Sequence, residues 1–187
     1  EAHSSGVPPD TPGLVSASVT ADTMRTVADL IDLGAIPSVL DERRREFMKK
    51  SPRILDYKAD LIKRVEYSLD GRLATVHIPF EDIQKYSDEY NPNVLILEEL
   101  RLVENVEVAV AIKTYPDGKL TGKIRTSIPI ADQIAGYFGG GGHPYAAGFR
   151  TYDTSYSEAV AELINLLPPL LANPEPTFDT PTQETTA

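Results

Sequence analysis

Residues 138–149 read Phe-Gly-Gly-Gly-Gly-His-Pro-Tyr-Ala-Ala-Gly-Phe. The four consecutive glycines, Gly139, Gly140, Gly141 and Gly142, run directly into His143. Without a Cβ, successive backbone N–H groups can turn inward around an anion. An imidazole at the rim supplies a further donor for a phosphate oxygen. Spacing excludes two common phosphate loops. No Gly-Lys-Ser/Thr follows at P-loop distance, and in the dinucleotide fingerprint the last glycine would fall on Pro144 or Tyr145. The alternative is a structural corner in which His143 merely packs, but the neighbouring Ala146, Ala147 and Gly148 favour close backbone approach.

Arg125 stands shortly upstream, at the end of a strand-like segment. Period-two alternation puts Lys123 and Arg125 on one face. Arginine suits a bidentate phosphate contact, and Thr126 and Ser127 add hydroxyls. Read alone, these are solvated strand charges; next to the glycines, phosphate binding is an equal reading. Tyr137 and Tyr145 flank the glycines and either edge the core or stack on a base. His77 reads as a half-buried packing residue, and residues 41–46 as a solvated helix face with local ion pairs. No catalytic set assembles, because there is no His-x-x-x-His pair and no cluster of carboxylates with histidine.

The formal net charge of −10 over 187 residues argues against sequence-independent duplex binding, which needs an extensive cationic surface. A locally basic cleft for a small anion remains compatible with it. The absence of cysteine rules out disulfides and thiolate metal sites and suits a reducing, cytoplasmic setting. The longest apolar runs, such as residues 166–171, are too short to cross a membrane, so no membrane partner is expected. The N-terminus has neither a basic start nor an apolar core, and it lacks an initiator Met. A fragment or a processed product is therefore expected.

These residues must be positioned by elements that the pattern outlines. Thr20-Ala21-Asp22 caps a helix with apolar Met24, Val27, Ala28, Leu30 and Ile31, and Gly34 ends it. A charged helix follows Pro37 and offers a domain or subunit contact, so a homodimer is a candidate assembly. A third helix runs from Pro52 to about Val65. Asp70-Gly71 and Pro116-Asp117-Gly118 each mark a hairpin. Residues 81–104 read as helix, loop, helix. A short helix leads into the glycines, a strand covers Gly148 to Tyr152, and a last helix is capped near Ser155 or Ser157. The expectation is an α+β fold, a mostly antiparallel sheet with flanking helices preceded by a helical segment. The divisions are residues 1–19 as the remnant of another domain and linker, 20–66 as a helical connector, 67–171 as the sheet domain, and 172–187 as a Pro- and Thr-rich disordered tail.

Residues 139–149 resemble the signature of the DHH-associated domain, the C-terminal lobe of DHH-family phosphoesterases. The strand, Arg-Thr pair and helix ahead of them resemble the nano-RNase and RecJ-like branch. The resemblance covers about Thr20 to Leu171. It implies a substrate-binding lobe for short oligonucleotides, pAp or a cyclic dinucleotide, with Gly139 to Gly142, His143, Arg125 and Thr126 holding phosphate. Threonine stands where the family's Arg-Ser pair has serine. It implies manganese as cofactor, bound by an N-terminal DHH domain whose Asp-His-His motif this chain lacks, so the chain alone is expected to be inactive. Residues 6–14 resemble the end of that catalytic domain, which places Asp10 at a metal-ligating aspartate, although Pro12 replaces a glycine. The alternative is a stand-alone, non-catalytic nucleic-acid-binding module of the kind found at the C-terminus of alanyl-tRNA synthetases.

Overall fold

Thr20 starts the first described element as a reciprocal cap: its hydroxyl accepts from the Thr23 N–H, and the Thr23 side chain accepts from the Thr20 N–H. The computed structural model describes residues 19–173. It parts into two compact units between Lys49 and Lys50. The first unit contains α1 (Ala21–Asp32) and α2 (Pro37–Phe47). Gly34 closes α1 at φ 99°, and the Ala35 N–H reaches back to the Leu30 carbonyl at 2.8 Å. That backbone conformation is one glycine adopts without a Cβ clash. On α2, Asp41 pairs with Arg44 at 2.9 Å and Arg45 at 2.8 Å, as expected of a solvated face. Hydrogen bonds from the two guanidinium groups hold the Asp41 carboxyl below its usual range.

The second unit runs α3 (Pro52–Lys63), β1 (Glu66–Ser68), β2 (Leu73–Ile78), α4 (Phe80–Tyr86), α5 (Pro92–Leu100), β3 (Val108–Thr114), β4 (Lys119–Thr126), α6 (Ala131–Tyr137), β5 (Gly141–His143), β6 (Ala146–Tyr152) and α7 (Tyr156–Ala172). One six-stranded sheet has the order β1-β2-β3-β4-β6-β5. The fold is α+β with a mostly antiparallel sheet. Both sequence-marked hairpins form: β1 with β2, and β3 with β4. One pairing differs from simple hairpin logic. β2 and β3 are parallel, and a parallel connection needs a long crossover, which α4 and α5 provide.

Strand alternation divides the core by face. Val108, Val110 and Ile112 of β3, with Leu120 and Ile124 of β4 and Phe149 of β6, pack beneath α6 and α7. Ala109 and Ala111 face the other way, into a second core with Ile54, Tyr57 and Leu61 of α3 and Leu95, Ile96 and Leu100 of α5. α3 thus belongs to the sheet unit by its buried contacts. On this second face the helical cover lies over the β2–β3 half, and β4, β6 and β5 carry Lys123, Arg125, Gly148 and Arg150 outward. His77 stacks on Tyr156 with ring centroids 4.6 Å apart and shares a 2.8 Å hydrogen bond with Thr114, a packing role.

Phe149 ties the glycine segment to the core. Its ring stacks on Phe138 at 4.3 Å, and it lies so close over Gly122 that a Cβ there would sit 2.1 Å from the ring. Phe149→Ala should lower stability by about 3–5 kcal/mol, the usual range for a large core truncation, as read by urea denaturation.

Candidate phosphate-binding site

α6 delivers the chain to the glycines and ends in a paired backbone cap. The Gly139 N–H donates to the Gly136 carbonyl at 2.9 Å, and the Gly140 N–H to the Ala135 carbonyl at 2.7 Å. Gly139 has φ 73°, the left-handed conformation this cap requires. These two N–H groups are therefore committed to the helix, and an inward-turned cradle made by all four glycines is not what forms. Gly141 to His143 instead make an edge strand, a feature the sequence pattern did not reveal. Alternate N–H groups of an edge strand face away from its neighbour and are open to a ligand.

Two of the glycines are required because the segment lies against β6. A Cβ on Gly140 would be 2.3 Å from the Gly148 carbonyl oxygen, and one on Gly142 would be 2.6 Å from the Ala147 Cα. Gly142 also has φ 153°. Gly141 differs, since a Cβ there meets nothing within 4 Å. It is the one glycine of the run that opens onto space without a conformational or packing demand of its own.

Register brings the other residues to the same face. His143 is opposite Ala146, which is opposite Arg125. Gly141 is opposite Gly148, which is opposite Lys123. Cross-strand partners share a face, so two parallel rows cross the uncovered half of the sheet. His143 and Arg125 lie about 10 Å apart at two strand spacings, with the short Ala146 side chain between them.

Two adjoining clefts occupy this face. One, of about 350 Å³, is lined by Arg125, Lys123, Gly141 and Gly142 on the sheet and by Val94 and Glu98 of α5, among others. The second, of about 520 Å³, is lined by Gly139, Gly140, Lys113, Tyr115, Lys123 and Arg150, among others. Asn91, Asn93, Lys123 and Gly148 border both. The Arg125 guanidinium donates to the Ile124 carbonyl at 3.0 Å and stands 3.9 Å from the exposed Glu98 carboxylate, which leaves other donors available.

The remaining sequence candidates fall elsewhere. Thr126 lines neither cleft. It is 1% exposed, and its hydroxyl donates to the Pro144 carbonyl at 3.2 Å while its N–H donates to the Tyr145 carbonyl at 3.1 Å. Its observed contacts fasten the β5–β6 turn to β4. His143 is exposed on the edge strand and borders neither cleft. Tyr137 donates to Glu162 beside a separate depression, and Tyr145 borders neither cleft. Asp10 lies outside the described residues. Among the described residues no three His, Asp or Glu side chains converge, so their donor set does not fit a metal centre.

Lys113, Arg150, Asn91, Asn93 and Tyr115 were not singled out by sequence. Lys113 and Arg150 reach the site through strand register, which no local motif encodes. Asn91 reaches it as the cap of α5, accepting from the Asn93 N–H at 3.2 Å.

Comparison with known proteins matches a family to part of this sheet unit. Residues 83–172 match the DHHA1 domain, so this segment is a DHHA1 domain. An exopolyphosphatase-related protein from Bacteroides fragilis superposes with a TM-score of 0.72 at 18% identity, covering 87% of this chain and 48% of that one. The likeness is one of fold, and the chain spans about half the length of that relative. A pGpG-specific phosphodiesterase from Vibrio cholerae aligns at 12% identity and a TM-score of 0.41, over 62% of this chain and 37% of that one. No curated protein sequence matches the chain. Among the described residues no helix is long and apolar enough to cross a membrane.

The glycine geometry makes separable predictions. Gly140→Ala and Gly142→Ala should each destabilise by about 1–3 kcal/mol or more through overpacking against β6. Gly141→Ala should stay within about 0.5 kcal/mol of the parent. Thermal unfolding of the three variants checks both statements.

Proposed function

We propose that this DHHA1 domain is the substrate-holding lobe of a phosphoesterase, seating a phosphate of a nucleotide or short oligonucleotide against Arg125, Lys123 and the Gly141–Gly142 edge, with His143 reaching the ligand from the same edge strand outside the cleft. The observation that carries the reading is electrostatic. In a protein of net charge −10, no carboxylate of the described residues forms an ion pair with Lys113, Lys123 or Arg150; all three border the second cleft, and Lys123 borders the Arg125 cleft as well. Most other cations in the sheet unit are neutralised locally, as Arg53 is by Glu89, Lys58 by Glu99 and Arg72 by Glu107. Free cations beside exposed glycine backbone are the composition of a phosphate site.

Arg125 binds phosphate through its planar fork, and Lys123 serves as a point charge lying over Gly148. Gly141 lets the ligand approach the main chain. Thr126 acts through Pro144 and Tyr145 by fixing the turn that carries the edge strand. Bond cleavage, with any manganese it uses, belongs on this reading to a catalytic DHH domain rather than to the described residues. The exopolyphosphatase-related neighbour has phosphate chemistry in its name, which agrees with a phosphate-holding lobe without choosing among substrates.

Calorimetric titration of a 5′-phosphorylated diadenylate tests the proposal. Arg125→Ala and His143→Ala should each weaken binding by about 1.5–3 kcal/mol, the range for hydrogen bonds to charged groups. Equal affinity in the parent and both variants would leave no phosphate site at these residues. The chain incubated with manganese should leave pAp and the dinucleotide intact, and turnover would refute the assignment of cleavage to another domain.

A further inference from the structure

Lys113 is in an unusual position for a lysine. It is 8% exposed at the end of β3, and its ammonium has a neutral partner, the Asn91 side-chain oxygen at 3.1 Å. No carboxylate of the described residues forms an ion pair with it. Burial, and then the nearby charge of Lys123, pushes its ammonium below the usual lysine range. A buried charge without a counter-charge is costly, and an anion arriving at the cleft would relieve that cost.

A second observation is independent of charge. Asn93, 7% exposed, borders both clefts, and its side-chain oxygen is buried without a hydrogen-bond partner. Buried polar atoms are ordinarily satisfied, so an orphan at a cleft wall marks a place for a ligand group. An amide turned over presents NH2 to an anion; in its present orientation it accepts from a hydroxyl or amine.

The register adds spacing. Arg150 is opposite Thr121, which is opposite Lys113, so the three form a row four residues along β4 from the Arg125 row. That separation is about 13 Å, with Lys123 between the two rows.

We propose that Lys113, Lys123, Arg150 and Asn93 form a second anion subsite adjoining the Arg125–Gly141 cleft, so that the lobe takes a strand with two phosphate groups in preference to a mononucleotide. This rests on the phosphate-holding function proposed above and specifies its ligand. Lys123 serves both subsites, and a phosphate at the second supplies the counter-charge that Lys113 lacks. Asn91 holds the ammonium at the mouth of α5, so the helix N-terminus adds its positive end to the same place.

The test compares adenosine 5′-monophosphate with a 5′-phosphorylated diadenylate by calorimetry, using the full chain. The parent should bind the dinucleotide at least about 10-fold more tightly. Lys113→Met and Arg150→Gln should each bring that ratio towards one with little change in mononucleotide affinity, whereas Arg125→Ala weakens both ligands. Lys113→Met should also raise the melting temperature, because it removes a buried uncompensated charge; a lysine needed for packing would lower it. An unchanged ratio in Arg150→Gln and Lys113→Met overturns the second subsite, and the phosphate-holding reading survives if Arg125→Ala still weakens both. If Arg125→Ala weakens neither ligand, that reading falls as well. Arg150 is exposed, so its variant tests the subsite without disturbing the core.

Discussion

The close approach of residues 140–142 to β6 governs this unit. At Gly140 and Gly142 the two backbones lie nearer than any side chain allows. At those two positions the segment can exist only as bare main chain. Its entry is set by the α6 cap and its exit by Thr126, whose hydroxyl and N–H take the Pro144 and Tyr145 carbonyls. The Phe138–Phe149 stack joins the two ends of the segment, anchoring it to the core beneath α6 and α7. Glycine is entropically costly to order, and here several tertiary contacts share that cost. The result is a main-chain surface held still by its surroundings.

That surface meets a second constraint, the burial of Lys113. Asn91 joins the two, because its side-chain oxygen accepts both the Lys113 ammonium and the Asn93 N–H at the start of α5. The helix that covers the β2–β3 half of the sheet is thus fastened at its first turn to a cation on the boundary of that cover. Were α5 to shift, Lys113 would lose its neutral partner and face Lys123 with less screening. The geometry keeps cations concentrated on one face of an otherwise acidic protein, where their mutual repulsion strengthens the case for an anionic occupant.

Local chemistry made much of the architecture legible. Asp70-Gly71 and Pro116-Asp117-Gly118 mark their hairpins because turn residues act over two or three positions. Thr20 and Ser155 mark helix starts because a cap is a single side chain. The glycine stretch was legible as a place of close approach, but its division of labour was not. Gly139 serves a helix end, Gly140 and Gly142 serve strand packing, and Gly141 is open, distinctions set by φ and by the neighbouring strand. Thr126 looked like a second hydroxyl for the ligand because it follows Arg125, yet alternation turns it into the core. The parallel β2–β3 pairing and the Arg150-Thr121-Lys113 row depend on long-range register, which a one-dimensional pattern does not carry.

The inventory of the cleft also limits its chemistry. Arginine and a lysine ammonium donate hydrogen bonds and stabilise negative charge, but in their charged forms neither accepts a proton. Glycine N–H groups likewise donate. Glu98 is the carboxylate bordering the Arg125 cleft, and it stands as that residue's loose counter-ion. His143 can accept a proton, yet it sits on the edge strand, separated from Arg125 by the width of β6. Side chains so arranged can orient an anion and offset its charge. Activating a nucleophile would require a base within hydrogen-bond reach of it, beside the bound phosphate. On the proposed reading the described face holds its ligand, and its selectivity would follow from how many phosphates its rows of cations engage together.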